Sequence, residues 1–304
     1  MKNPIKNKIL VLSLLFVAVL TSCEDVVQVN VNDENVDLVS VEAYLDNRSR
    51  NNVYVKLERT LPVDRAEENP PISDAKVEII DGEAASNTVI LNEIENTGVY
   101  RIPENSVYKV VTGRTYHLKV TLTDGTVITA SDYLEKVETL DTVKVNLSAR
   151  GDYEFLAVFI SSQETPGEGN YYKWDIYIND RLLYESGNLS FASDELVDGN
   201  YIYDFEIFTD FYEDEEDKVL LKGDTVYVEQ LSISKAAYDY YIGMVNQAFS
   251  GGPFSVPPAN LPGNLSSSDG KKVLGIFSAR DVSRGNIIII DDDNYTPLNP
   301  DIIP

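Results

Sequence analysis

Cysteine, histidine and tryptophan occur once each in these 304 residues, as Cys23, His117 and Trp174, and methionine occurs twice. A single cysteine excludes any disulfide within the chain. One cysteine and one histidine also leave too few ligands for a zinc site of the usual kind. Triad catalysis needs an imidazole set beside its nucleophile. His117 instead lies between Tyr116 and Leu118, on the polar face of an alternating run, the place of a solvated surface histidine. Basic residues are scarce as well: lysine and arginine number 25 against 50 acidic residues, for a formal net charge of −25. Such a surface repels phosphate backbones and anionic headgroups, so no nucleic-acid partner is expected. Carboxylates are so abundant that no pair stands out as the acid and base of a glycosidase. The expectation is a protein that is not an enzyme.

Long apolar runs are rare. The one at residues 9–20 follows Lys2, Lys6 and Lys8, and a bilayer-spanning helix needs roughly 20 apolar residues. A basic start and a short apolar core read as a signal peptide, residues 1–22. Leu20-Thr21-Ser22-Cys23 resembles the lipobox of bacterial lipoproteins. That resemblance implies cleavage before Cys23, a diacylglyceryl thioether on its sulfur and acylation of the freed amine. Each buried methylene contributes ~0.8 kcal/mol, and two or more chains anchor stably where one is marginal. Glu24 and Asp25 resemble the acidic export signals of Bacteroidota surface lipoproteins, which implies the outer face of the outer membrane. Residues 23–35 are polar and acidic and read as a tether.

From residue 36 the chain becomes a series of short β-like runs. "VDLVSVEAYL", "NVYVKLERTL", "AKVEIID" and "NTVILNEI" are bounded by Asp, Asn, Gly or Pro at the spacing of a sandwich. In "RTYHLKVTLTDGTVITAS" residues Tyr116, Leu118, Val120 and Leu122 alternate with polar neighbours, and Asp124-Gly125 supplies a turn. The fold class is mainly β. An immunoglobulin-like β-sandwich is expected over residues 36–138, followed over 139–304 by a second β-rich domain carrying one amphipathic helix. In that second part "EFLAVFI" reads as a strand covered on both faces. "NYYKWDIYINDRLLYES" alternates Tyr172, Trp174, Ile176 and Ile178 with polar partners and turns at Asn179-Asp180. "DTVYVEQL", "KKVLGIFSA" and "GNIIII" add strands. Ile233, Ala237, Tyr240, Tyr241, Met244 and Ala248 recur at helical spacing, so a helix is expected near residues 234–249, capped by Ser232 or Ser234 and ended by Gly251-Gly252. Residues 250–264, "SGGPFSVPPANLPGN", then crowd four prolines and three glycines into one loop.

Helix and loop together carry a resemblance to a known family. "LSISKAAYDYYIGMVNQAFSGGPFSVPPANLPGNLSSSDGKKVLGIFSA", with "SDAKVEIID", "TGVYRIPE", "GRTYHLKVTLTDG" and "GNYYKWDIY" in support, is similar to the Bacteroidota lipoprotein family called domain of unknown function 4249. The opening strand "LVSVEAYL" departs from that family at Ala43, where its members carry glycine. The resemblance implies an outer-membrane lipoprotein without established chemistry, often encoded beside TonB-dependent transporters. It therefore implies a transporter partner and an accessory role in ligand capture or gating for nutrient uptake. The alternative from another class is a structural or adhesive surface lipoprotein without a transporter.

Several residues are candidates for contact or modification. Prolines lower the entropy lost when the 250–264 loop orders, and glycines permit its turns. Phe254 in it is expected to plug the core beside the helix, with Phe254, Asn260 and Asn264 as an alternative contact edge for ligand or transporter. Trp174 and the nineteen tyrosines suit sugar or peptide faces. Residues 213–217 and the run Asp291, Asp292 and Asp293 are acidic. The second follows a strand that reads as buried, and it is the better candidate for Ca2+, although it lacks the alternating spacing of an EF-hand loop. No other cofactor is expected. Asp141-Thr142-Val143 and Asp224-Thr225-Val226 are similar to the Bacteroidota O-glycosylation motif, which would place glycans on Thr142 and Thr225.

Overall fold

β-Branched and aromatic residues at period two, cut into short runs by Asp, Asn and Gly, dictate strands almost throughout. The computed structural model describes residues 37–48, 52–61, 67–84, 87–150, 153–183, 189–209, 211, 220–249, 261 and 263–291. In the first half these form β1 (Val39–Asp46), β2 (Val53–Arg59), β3 (Lys76–Asp81), β4 (Thr88–Ile90), β5 (Asn92–Ile94), β6 (Val99–Arg101), β7 (Arg114–Thr121) and β8 (Val127–Leu134). β7 and β8 alternate as expected: Tyr116, Leu118, Val120 and Ile128 are buried and their neighbours face water or the rim. The intervening turn closes through Gly125 at φ +89° and an Asp124 carboxylate that accepts from the Thr126 N–H at 2.8 Å.

The second half contributes β9 (Leu140–Arg150), β10 (Tyr153–Gln163), β11 (Tyr171–Ile178), β12 (Arg181–Leu182), β13 (Ser190–Ser193), β14 (Tyr201–Phe208) and β15 (Thr225–Ile233). Then come the helix α1 (Lys235–Ala248), β16 (Ser266–Ser267), β17 (Val273–Arg280), β18 (Val282–Arg284) and β19 (Ile288–Ile289). Four sheets result, in the orders β17-β1-β2-β6-β5, β16-β8-β7-β3-β4, β14-β10-β9 and β12-β11-β15-β18, with β13 on β11 and β19 on β15. The first two share one apolar core that includes Leu45, Leu57, Ile79, Leu118, Leu134 and Phe277. The other two meet in a second core of Val143, Leu156, Ile160, Trp174, Ile176 and Val228. Among the described residues no helix is long and apolar enough to cross a membrane.

The expected domain boundary after residue 138 does not divide the structure. β16 pairs with β8, and β17 runs parallel to β1 from Val39↔Val273 to Asp46↔Arg280. Each sheet of the first sandwich thus takes a strand from the C-terminal part, and residues 36–304 form one compact unit. The physical reason lies in the two faces of β17. Val273, Phe277 and Ala279 enter the first core, while Ile276 packs with Leu231, Ile233 and Ala237 beside the helix. Close approach to β1 needs Gly275, at φ +100°, because a Cβ there would overlap the Val41 carbonyl. β1 itself passes Ala43 without a shift in register. The close approach is made by a glycine on the partner strand.

The helix starts at the Ser234 cap, whose hydroxyl accepts from the Ala237 N–H at 3.3 Å. Ile233, expected on the helix, is the last residue of β15 and pairs with Tyr171. Ala248 is exposed, and Ala237 alone is fully buried. Phe249 closes the helix with its N–H on the Val245 carbonyl at 3.1 Å; Gly251 and Gly252 lie outside the described residues.

Candidate functional site

At one end of the second core the packing opens into a cavity of about 370 Å³. Its floor comes from β11 and β15, where the ladder sets Trp174 opposite Gln230. Alternation puts Tyr172, Trp174, Ile176, Val226, Val228 and Gln230 on the same side of this sheet, so the chain places an amide where apolar residues precede it. That amide is held from both sides. The Trp174 indole N–H donates to Gln230 Oε1 at 2.9 Å, and Gln230 Nε2 donates to Ser162 Oγ at 3.1 Å and the Glu138 carbonyl at 3.3 Å. A buried amide with its hydrogen bonds made is stable and fixed in orientation.

Aromatic rings form the walls. Trp174 meets Phe205 of β14 at 5.7 Å between centroids and 53° between planes. Phe191 of β13 meets Tyr238 of α1 edge-on at 5.6 Å and 85°. Tyr172 lies 6.3 Å from Trp174, nearly parallel, and its hydroxyl donates to Glu164 Oε1 at 2.8 Å. Burial pushes the Tyr172 phenol well above its ordinary pKa, and the adjacent Glu164 carboxylate adds to the rise, so the phenol remains a donor. The rim is Glu195, Val197 and Leu196, the last 95% exposed.

Beneath the rim two loops clasp each other. Glu164 accepts from the Gly199 N–H, Asp194 from the Gly169 and Asn170 N–H groups at 2.9 and 3.0 Å, and Asp198 from the Gly167 N–H at 2.7 Å. The carboxylate oxygens of these three acids lie within 4.8 Å of one another. Each already accepts from a backbone N–H, which accounts for them as fasteners of residues 164–170 to 194–200.

Of the residues singled out from sequence, Trp174 stands in the cavity wall. Asn264 is elsewhere, as a latch: its amide accepts from the Phe277 N–H at 3.0 Å and donates to the carbonyls of Phe277 at 2.8 Å and Ser131 at 3.2 Å. That is a packing role joining β17 to β8. Leu261, just before it, lies against Gly243 of the helix, where a Cβ would meet its Cδ2 at 2.5 Å. Phe254 and Asn260 lie outside the described residues, as do Cys23, residues 213–217, Asp292 and Asp293. Asp291 is exposed. The strand before it is not buried on both sides as expected: Ile287 and Ile289 are 55% and 61% exposed, because β19 is an edge strand whose ladder partner is β15. Thr142 is half-buried on β9. Thr225 donates its hydroxyl to Asn179 Oδ1 at 3.3 Å beside the Asn179-Asp180 turn.

Gln230, Phe191 and Phe205 were not picked out from sequence, and Tyr172 and Tyr238 only as members of the tyrosines as a class. Gln230 carried a signal, being in phase with Val226 and Val228. Phe205 and Tyr238 carried none of their own, since strand pairing and helix docking bring them in from far along the chain. A family model described as a domain of unknown function (DUF4249) matches residues 24–286. No curated protein matches the chain.

Proposed function

The chain belongs to this DUF4249 family, and from that premise we propose that it is a lipid-anchored outer-membrane protein that captures a ligand for a TonB-dependent transporter without catalysing a reaction. The observation that carries the reading is the cavity. It is concave, largely apolar and aromatic, with a few polar groups whose orientation is fixed by Trp174, Gln230 and Ser162, the make-up of a small-molecule receptor site. Gln230, Ser162, Tyr172 and Glu164 in its wall are engaged with one another or with backbone, an arrangement suited to holding a ligand more than to moving protons. The anchor rests on the lipobox-like residues before Cys23, and the acidic body fits a protein held off an anionic surface by a tether.

The test is affinity purification of the lipidated protein from native membranes in mild detergent, followed by mass spectrometry. The expected result is one TonB-dependent barrel, lost when Cys23→Ala removes the anchor. Recovery of unrelated abundant proteins alone would overturn the transporter reading and favour an adhesive role.

A further inference from the structure

We propose that the cavity is a receptor site for a small organic ammonium cation. The inference rests on the capture reading above and adds the class of ligand.

Two features of the wall point the same way. It carries the rings of Tyr172, Trp174, Phe191, Phe205 and Tyr238. Tyr172 lies nearly parallel to Trp174, Phe205 is tilted from Trp174 by 53°, and Phe191 and Tyr238 meet at 85°. Ring faces are electron-rich and attract a cation, most strongly where water is displaced. Among the described residues, the ionisable side chains of the wall, apart from tyrosines, are Glu164 and Glu195, with no lysine or arginine in the lining. An anionic ligand would find no partner there.

Glu164 strengthens the case. It is 2% exposed, yet its partners are neutral: the Tyr172 hydroxyl, the Gly199 N–H and the Asn170 amide. Asp46 and Asp175, by contrast, each face an arginine or lysine. Burying a carboxylate without a cation is costly, and a bound ammonium would supply the missing charge at the cavity's edge. Glu195, exposed on the rim beside Leu196, adds a second negative charge on the way in.

Trp174 is the only tryptophan in the chain, so its emission reports this cavity alone. Full-length protein in a nonionic detergent would be titrated with benzyltrimethylammonium, with neutral benzyl alcohol and with anionic phenylacetate. The cation is expected to change Trp174 emission saturably and to bind about tenfold tighter than the alcohol, with no saturable response to phenylacetate. Glu195→Gln, at an exposed position that leaves the fold intact, is expected to narrow the gap between cation and alcohol, and Glu164→Gln to narrow it further. Equal binding of cation and alcohol would overturn the cation assignment and leave the cavity as a capture site. No saturable response to any of the three would overturn both.

Discussion

The two sandwiches solve the problem of covering a sheet differently. In the first, β7 and β8 keep one wet face, and ion pairs such as Lys76–Glu78 sit at the surface with the lysine 54% exposed. In the second, β11 and β15 are covered on both sides. One side of them holds the apolar core and the cavity. The other carries Lys173, Asp175 and Glu229, each under 10% exposed, against a seam that includes Arg48, Asp46 and Arg280 from β1, the loop after it and β17. Tyr177 stacks on Tyr227 at 4.5 Å and donates to Glu229 at 3.1 Å, and Arg280 lies 3.9 Å over Tyr44. A polar strand face that meets another element must match its charges there, so the seam fixes how the halves dock. β7 and β8, with one wet face, make no such demand.

β17 belongs to both regimes, so it is where the comparison is most easily broken. Phe277→Ala removes a ring that is 0% exposed in the first core and is expected to cost about 3–5 kcal/mol. Urea unfolding followed by far-UV circular dichroism and by Trp174 emission should show both signals moving to the same lower midpoint. If Trp174 kept the parental midpoint, the halves would be independent and the shared-wall account would fail.

The buried seam gives the next largest effect. Burial raises the Asp175 carboxyl, but Lys173, then Arg280 and Arg48, hold it below the usual carboxylate range. Its stabilisation is therefore complete above the unfolded pKa, near 3.8, and is lost as pH falls through the lowered folded value. Asp175→Asn leaves Lys173 unpaired in the interior and should cost about 3 kcal/mol at neutral pH. The double change Lys173→Met, Asp175→Leu should recover most of that loss, because both charges go together. Lys76→Met, at an exposed pair of the first sandwich, should move the midpoint by less than about 0.5 kcal/mol. Equal losses at Asp175 and Lys76 would erase the distinction between the regions.

How far the chain announced this follows the same divide. Tyr116, Leu118 and Val120 alternate with polar residues, and a wet face makes that alternation plain, so the first sandwich could be read directly. "KKVLGIFSA" is apolar on both parities, which says that the strand is covered but not by what. Its parallel partner, residues 39–46, lies more than 200 positions away with no local signal linking them. The Lys173 and Asp175 face of β11 reads as wet for the same reason: a charge paired across a seam looks like a solvated charge until the partner is known. Trp174 was conspicuous because it is the only one. Gln230, in phase with Val226 and Val228, carried a weaker signal.

Asp132, a buried acid of the first sandwich, gives the smallest and most specific prediction. It occupies an inward position of β8, between Ala130 and Leu134, and is 7% exposed. Its carboxylate accepts from the Ala279 N–H at 2.8 Å, tying β8 to β17 across the edge of the sandwich. Burial raises its pKa to about 6, against the lowering effect of the hydrogen bonds from Ala279 and Ser234. The folded state therefore holds the proton more tightly than the unfolded chain between about pH 4 and pH 6. The contribution of this group is complete below the unfolded value of 3.8 and is lost as pH rises through about 6. Asp132→Asn keeps an oxygen for the Ala279 N–H and carries no charge to bury. It is expected to be more stable than the parent by about 2 kcal/mol at pH 7.5 and to approach it at pH 4.5. Unfolding midpoints at those two pH values decide the matter. A difference that does not change between them would mean that the proton on Asp132 plays no part in holding β17 to the sandwich.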